Sequence, residues 1–177
     1  MSNHTLILGG AKSGKSSLAL ELANKAGGRR IFLATAQAGD GEMRERIRRH
    51  QAERGPDWST VEEPVELGTT LQRADGADTV LVVDCLTLWL SNLLTVANLS
   101  AEEINRRGRE LAALLPTLKS QVLLVANEVG LGIVPDNALA RLYRDLAGSL
   151  NQALAQACGR VILVAAGLPL VLKGPPL

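Results

Sequence analysis

Short, almost purely apolar runs alternate along this chain with longer segments whose apolar residues recur every three or four positions. That alternation is the signature of parallel strands joined by helices. The runs are His4–Leu8, Ile31–Ala36, Thr79–Val83 closed by Asp84, Gln121–Ala126 and Arg160–Ala166. Each is too apolar to leave one face in water, so each predicts a strand covered on both faces. Asp57–Glu63 predicts a shorter strand with one buried aromatic, Trp58. Helical spacing predicts helices from the glycine-rich turn after the first run to about Lys25, from Pro64 to about Arg73, from Leu86 to about Ala97, from Ser100 to Leu115 and from Asn137 to about Cys158. Ser100-Ala101-Glu102-Glu103 reads as a capping box, and Asp136 as the cap of the last helix, whose apolar stripe is Leu139, Leu142, Leu146, Leu150 and Leu154. The segment Leu86–Leu94 is apolar nearly all round, so it is either buried within its own subunit or part of a subunit interface. The tail from Gly167 to Leu177 passes over a cleft or frays. No repeat or boundary divides residues 1–177, which read as one α/β domain.

The first loop carries the chemistry. Gly9-Gly10-Ala11-Lys12-Ser13-Gly14-Lys15-Ser16 matches G-x-x-x-x-G-K-[ST] at every fixed position, between a strand and a helix. Glycines let successive backbone N–H groups face a polyphosphate, and the helix N-terminus adds partial positive charge. Lys15 is placed to reach the β- and γ-phosphates and Ser16 to ligate Mg²⁺. Asp84, a carboxylate ending an apolar strand, is the expected second element of the metal site. Ligands gather at the carboxyl ends of parallel strands, which leaves two readings for Thr35 and Gln37: nucleotide contacts, or members of a polar turn.

Composition narrows the class. Hydrophobic residues are 46 % and aromatics 2 %, so the core must be aliphatic. A formal net charge of +1 argues against a general nucleic-acid binder. Cys85 and Cys158 form no metal or redox motif and predict buried free thiols, suited to a reducing cytoplasm. The first strand begins at once, so no signal peptide is expected, and no apolar run is long enough to span a bilayer.

One charged segment resists the bland reading. Arg44, Arg46, Arg48, Arg49 and Arg54 crowd into residues 44–54 with His50 among them. In a helix, Arg46 and Arg54 share a face with His50. Clustered cations disfavour the imidazolium, and a neutral imidazole beside an α-phosphate is a nucleophile. His4, at the start of the first strand, is the only other histidine.

Together the phosphate loop, Leu33-Ala34-Thr35-Ala36-Gln37, Arg46-Ile47-Arg48-Arg49-His50, Trp58–Pro64, Asp84-Cys85-Leu86-Thr87 and Asn127–Pro135 resemble the bifunctional adenosylcobinamide kinase/adenosylcobinamide-phosphate guanylyltransferases of cobalamin biosynthesis. The resemblance runs from the phosphate loop to the last strand. It implies a RecA-like P-loop fold, a homotrimer, and Mg²⁺ with GTP or ATP. It also implies two reactions: phosphorylation of the corrinoid's aminopropanol hydroxyl, then transfer of GMP from GTP to that phosphate through a guanylylated histidine. The matching histidine is His50. Nucleotide contacts carry over to Gly9, Gly10, Ala11, Lys12, Ser13, Gly14, Lys15 and Ser16, to Ala34, Thr35 and Ala36, to Gln51, Ala52, Glu53 and Arg54, and to Glu62 and Asp84.

Three rivals share the phosphate loop. A RecA-like motor on DNA would want an aromatic-studded basic groove, which the composition lacks. A regulatory GTPase would want Asn-Lys-x-Asp after its strand, where this chain has Asn127-Glu128-Val129-Gly130. A one-step small-molecule kinase leaves the His50 cluster without a task.

Overall fold

The aliphatic runs become the inner strands of one seven-stranded sheet, in a computed structural model that describes residues 2–36 and 54–177. The strands are β1 (Thr5–Gly9), β2 (Arg29–Ala34), β3 (Trp58–Glu62), β4 (Thr79–Asp84), β5 (Gln121–Asn127), β6 (Arg160–Ala165) and β7 (Leu168–Lys173). Their order is β3-β2-β4-β5-β1-β6-β7, and every pair is parallel except β6 with β7. The described helices are α1 (Lys15–Ala26), α2 (Leu67–Ala74), α3 (Leu86–Thr95), α4 (Ala101–Leu114) and α5 (Ala138–Ala157).

Residue alternation along the strands feeds two aliphatic layers. On one face Leu6, Leu33, Leu81, Val83 and Leu124 pack under α2 to α5 through Leu71, Leu90, Leu93, Leu111 and Leu150. On the other, Ile7, Val80, Val82, Leu123 and Ile162 lie against α1. That helix presents its buried alanines, Ala19 and Ala23, to this layer. Truncating a fully buried leucine such as Leu90 to alanine should cost about 2–5 kcal/mol.

Several expectations change at the edges. Leu86, Trp89, Leu90 and Leu93 are buried within the chain itself, so α3 is a core helix and needs no partner subunit to cover it. Uncovered apolar side chains lie elsewhere: Leu131 at 86 % exposure, Ile133 at 97 %, and Leu168, Leu170 and Leu172. On α5 the buried stripe begins only at Leu146, leaving Leu139 and Leu142 exposed, and the capping side chain is Asn137, which accepts from the Ala140 N–H, rather than Asp136. The tail neither frays nor crosses a cleft. It turns back as β7 through Ala166 and Gly167, both at positive φ (51° and 79°), the two-residue turn whose twist suits a hairpin. Lys173 then donates to the carbonyls of Ala155, Gln156 and Cys158, satisfying the end of α5. The Ser100–Glu103 capping box forms as expected, and both cysteines are free and buried.

His4 is structural. Its Nε2–H donates to the Leu115 carbonyl at 2.7 Å and its Nδ1 accepts the Val122 N–H at 3.2 Å, tying the start of β1 to the turn before β5. Burial pushes its pKa below the usual histidine value, only partly opposed by the bond to Leu115.

Candidate active site

β1 ends at Gly9, paired on one side with Asn127 of β5 and on the other with Val164 of β6. The chain must turn here within a few residues, and sequence chemistry permits it. Gly14, at φ 98°, takes the left-handed conformation just before α1, and Lys12 takes it at φ 56°. No side chain caps α1, so its first N–H groups point into the loop with no capping side chain of their own. The Lys15 ammonium donates to the Gly10 carbonyl at 3.1 Å, closing across the loop. The Ser13 hydroxyl is buried against Gly9 with no hydrogen-bond partner among the described residues. A loop leading into an uncapped helix start, with one ammonium and one spare hydroxyl, is a cradle for an anion.

Neighbouring segments clamp that cradle from both sides. The Glu128 N–H donates to the Gly9 carbonyl at 3.0 Å, and the Gly167 N–H donates to the Ser13 carbonyl at 2.9 Å. The sequence marked Asn127–Pro135 without a task. Its first turn buttresses the phosphate loop, and the Glu128 carboxylate accepts the Gly130 N–H. The Gly167 contact had no sequence signal, because the hairpin that carries it was read as tail.

Asp84 ends β4 opposite Val125 of β5, which in turn faces Ile7 of β1. With β5 between them, β1 and β4 lie about 10 Å apart, two strand spacings. Asp84 and the phosphate loop therefore face one another across a gap of polyphosphate width at the carboxyl edge. The neighbouring Cys85 thiol is no nucleophile: burial, then the Asp84 charge, push its pKa up.

The remaining expected contacts lie beyond β4. Ala34 ends β2 beside Glu62, which ends β3 and is exposed at the same edge, with Ala36 half-buried just past it. Thr35 differs from its side-chain expectation. It is fully buried, and its hydroxyl donates to the Cys85 carbonyl (2.8 Å) while accepting the Cys85 N–H (2.9 Å). Its hydroxyl is engaged by the Cys85 backbone, and its side chain shapes the edge. Asn92 of α3, which no sequence motif pointed to, donates to the carbonyls of both Thr35 and Pro64. Arg54 lies over the Phe32 ring at 3.7 Å and donates to Thr60, two register positions short of the edge where Ala34 and Glu62 sit. Gln37, His50, Gln51, Ala52 and Glu53 lie outside the described residues.

Comparison with known proteins fits this edge. A family model described as cobinamide kinase / cobinamide phosphate guanyltransferase matches residues 5–172. The chain is 49 % identical to the bifunctional adenosylcobalamin biosynthesis protein CobP of Pseudomonas aeruginosa, over 97 % of this chain and 98 % of that one. It is 37 % identical to the protein of that description, CobU, from Salmonella typhimurium, over 95 % and 98 %. Among solved structures, one from Pyrococcus horikoshii superposes with a TM-score of 0.62 at 8 % identity, covering 99 % of this chain and 89 % of that one. The RadB recombinase superposes at 0.52 and 14 %, covering 92 % and 74 %. These low identities speak for the fold alone, a RecA-like P-loop architecture, as the inserted β5 already indicates.

Proposed function

The chain belongs to the cobinamide kinase/cobinamide phosphate guanyltransferase family, and on that premise we propose that both reactions use the nucleotide edge just described, in a single domain. The observation that carries the proposal is the cradle itself: the uncapped start of α1, Lys15 bridging to Gly10, and Asp84 facing them from β4.

In the first reaction the corrinoid hydroxyl oxygen bonds to the γ-phosphorus of ATP or GTP. The bond from that phosphorus to the β,γ-bridging oxygen breaks, and the hydroxyl proton is released to water. Lys15 and the α1 N–H groups hold the β- and γ-oxygens and offset the charge developing on them. In the second, a neutral His50 nitrogen attacks the α-phosphorus of GTP and pyrophosphate leaves. A phosphate oxygen of the phosphorylated corrinoid then takes the GMP group, returning His50 to its free form. The role of His50 rests on the family resemblance and on its arginine-rich sequence setting.

The donor set suits Mg²⁺. Ser16 offers a hydroxyl and Asp84 a carboxylate, both hard oxygen ligands, and no cluster of three potential protein ligands occurs among the described residues. Such a sparse site is what an ion that keeps waters and phosphate oxygens requires. When bound, the ion neutralises polyphosphate charge; Ser16 and Asp84 are the residues that would hold it.

The family resemblance also implies a homotrimer, and the exposed apolar side chains at Leu131, Ile133, Leu168 and Leu170 support it. No described helix is long and apolar enough to cross a membrane, and two buried free thiols support a cytoplasmic location. The decisive test is α-labelled GTP. Wild type should take up acid-labile, alkali-stable label, while His50→Asn should take up none yet keep part of its kinase activity. Label retained in His50→Asn, or mapped to Lys12 or Lys15, would refute the covalent step.

A further inference from the structure

We infer that Thr35 and Asn92 are positioning residues that lock the carboxyl ends of β2, β3 and β4 into one surface for the nucleotide, an inference that rests on the function proposed above. Neither side chain is placed to touch substrate. What they touch is the framework of the residues that would. Thr35 makes three bonds to two consecutive residues: its N–H to the Asp84 carbonyl (3.2 Å), its hydroxyl to the Cys85 carbonyl, and the Cys85 N–H back to that hydroxyl. The hydroxyl is thus donor and acceptor at once, fixing the backbone right after Asp84 against the backbone right after Ala34. Asn92 extends the tie. Its one amide nitrogen donates to the Thr35 carbonyl at 2.8 Å and the Pro64 carbonyl at 3.1 Å, joining the turn after β2 to the turn after β3. The Glu63 N–H closes the set on the Ala34 carbonyl at 2.9 Å.

The chemistry of the site makes such a lock useful. Ladder hydrogen bonds hold strands together along their length but end with the strands, at Ala34, Glu62 and Asp84. Beyond that point one backbone bond continues each junction, Thr35 to Asp84 and Glu63 to Ala34, and side chains supply the remaining cross-links. A valine would fill the volume of Thr35, fully buried as it is, so packing alone does not call for a hydroxyl there. Breaking the lock leaves the Cys85 N–H without its partner in a buried setting, while the Cys85 carbonyl keeps only the Trp89 N–H, and the edge must shift to recover the lost bond.

The test uses fluorescent GTP analogue binding and steady-state kinetics, each at a temperature where circular dichroism shows the variant folded. Thr35→Val should weaken nucleotide binding about tenfold and lower kcat of both reactions. Thr35→Ser, which restores the hydroxyl, should stay within about twofold of wild type. Asn92→Ala breaks only the outer tie and should weaken binding by about threefold to tenfold, keeping the inference testable should Thr35→Val not fold. Lys15→Ala is the reference. If Lys15→Ala binds as wild type does, the nucleotide site itself is misplaced. If Lys15→Ala loses binding while Thr35→Val and Asn92→Ala keep wild-type affinity and kcat, only the positioning role falls. It falls equally if Thr35→Ser is as impaired as Thr35→Val, since packing of the methyl would then account for both.

Discussion

Adding one methyl group to Gly9 should separate the two halves of the phosphate-loop argument, conformation and space. A Cβ built on Gly9 would stand 2.5 Å from the Ser13 hydroxyl oxygen and 2.5 Å from the Val164 carbonyl oxygen, where ordinary contact begins at 3.4 Å. The hydroxyl can rotate away. The carbonyl belongs to the backbone of β6, registered against Gly9, and on the other side the Glu128 N–H holds the Gly9 carbonyl. The methyl must therefore open the β1–β6 junction by about 0.9 Å. Overpacking of this kind costs about 1–3 kcal/mol. For a chain of this size that is a fall in Tm of roughly 2–12 °C. Catalysis should fall with it, because a displacement near 1 Å costs about 10²-fold in a group-transfer step. Gly10→Ala is the internal control, since a Cβ there meets nothing within 4 Å and Gly10 is not among the positive-φ glycines. Differential scanning calorimetry and GTP titration on both variants give the answer. Gly9→Ala with wild-type Tm and GTP affinity, or Gly10→Ala with a Tm as low as that of Gly9→Ala, would refute the steric account.

Lys15→Ala should abolish kinase and guanylyl transfer together; survival of either reaction would show a second nucleotide site. Asp84→Asn should raise the Mg²⁺ concentration needed for half-maximal rate while leaving the urea midpoint within error, and an unchanged Mg²⁺ requirement would demote Asp84 to a helix-proximal surface carboxylate. The pKa of His4 is lowered in the folded state, so the unfolded chain binds the extra proton first and stability falls as pH drops below about 6.5. His4→Gln should flatten the urea midpoint across that window, and an equally steep midpoint in the variant would mean other groups set the slope. The depressed Glu63 and Asp75 carboxylates, whose burial is outweighed by hydrogen bonds from Val65, Glu66 and Thr70 and from Ser120 and Lys119, lose their contributions only at lower pH, below their ordinary values near 4.

The inner sheet was legible because it is written in uninterrupted aliphatic runs, and the phosphate loop because its glycines and lysine have almost no other use at that spacing. β7 was missed for a physical reason. Pro169 and the closing Pro175-Pro176 weigh against a strand by propensity, yet an edge strand with one neighbour tolerates a missing N–H, and the Ala166-Gly167 turn fixes its register. The α3 stripe was ambiguous because a helix apolar nearly all round looks the same in sequence whether its cover comes from its own chain or another. For Thr35 the strand-end position was readable and the direction of its hydroxyl was not. Asn92 had no signal at all, because a lone asparagine on an apolar helix announces no partner.

The place of β1 has a consequence for the order in which this protein can be made. Of the strands in this sheet it is the first to be synthesised, yet its two neighbours, β5 and β6, are residues 121–127 and 160–165. Neither face of its hydrogen-bond ladder can be filled until most of the chain exists, and contacts of such long sequence separation form slowly. A nascent chain halted before β5 would therefore expose an apolar, unpaired Thr5–Gly9 and carry a complete phosphate-loop sequence with no phosphate loop. Nucleotide binding should appear in a series of stalled chains only once residues through the Gly167 turn have emerged.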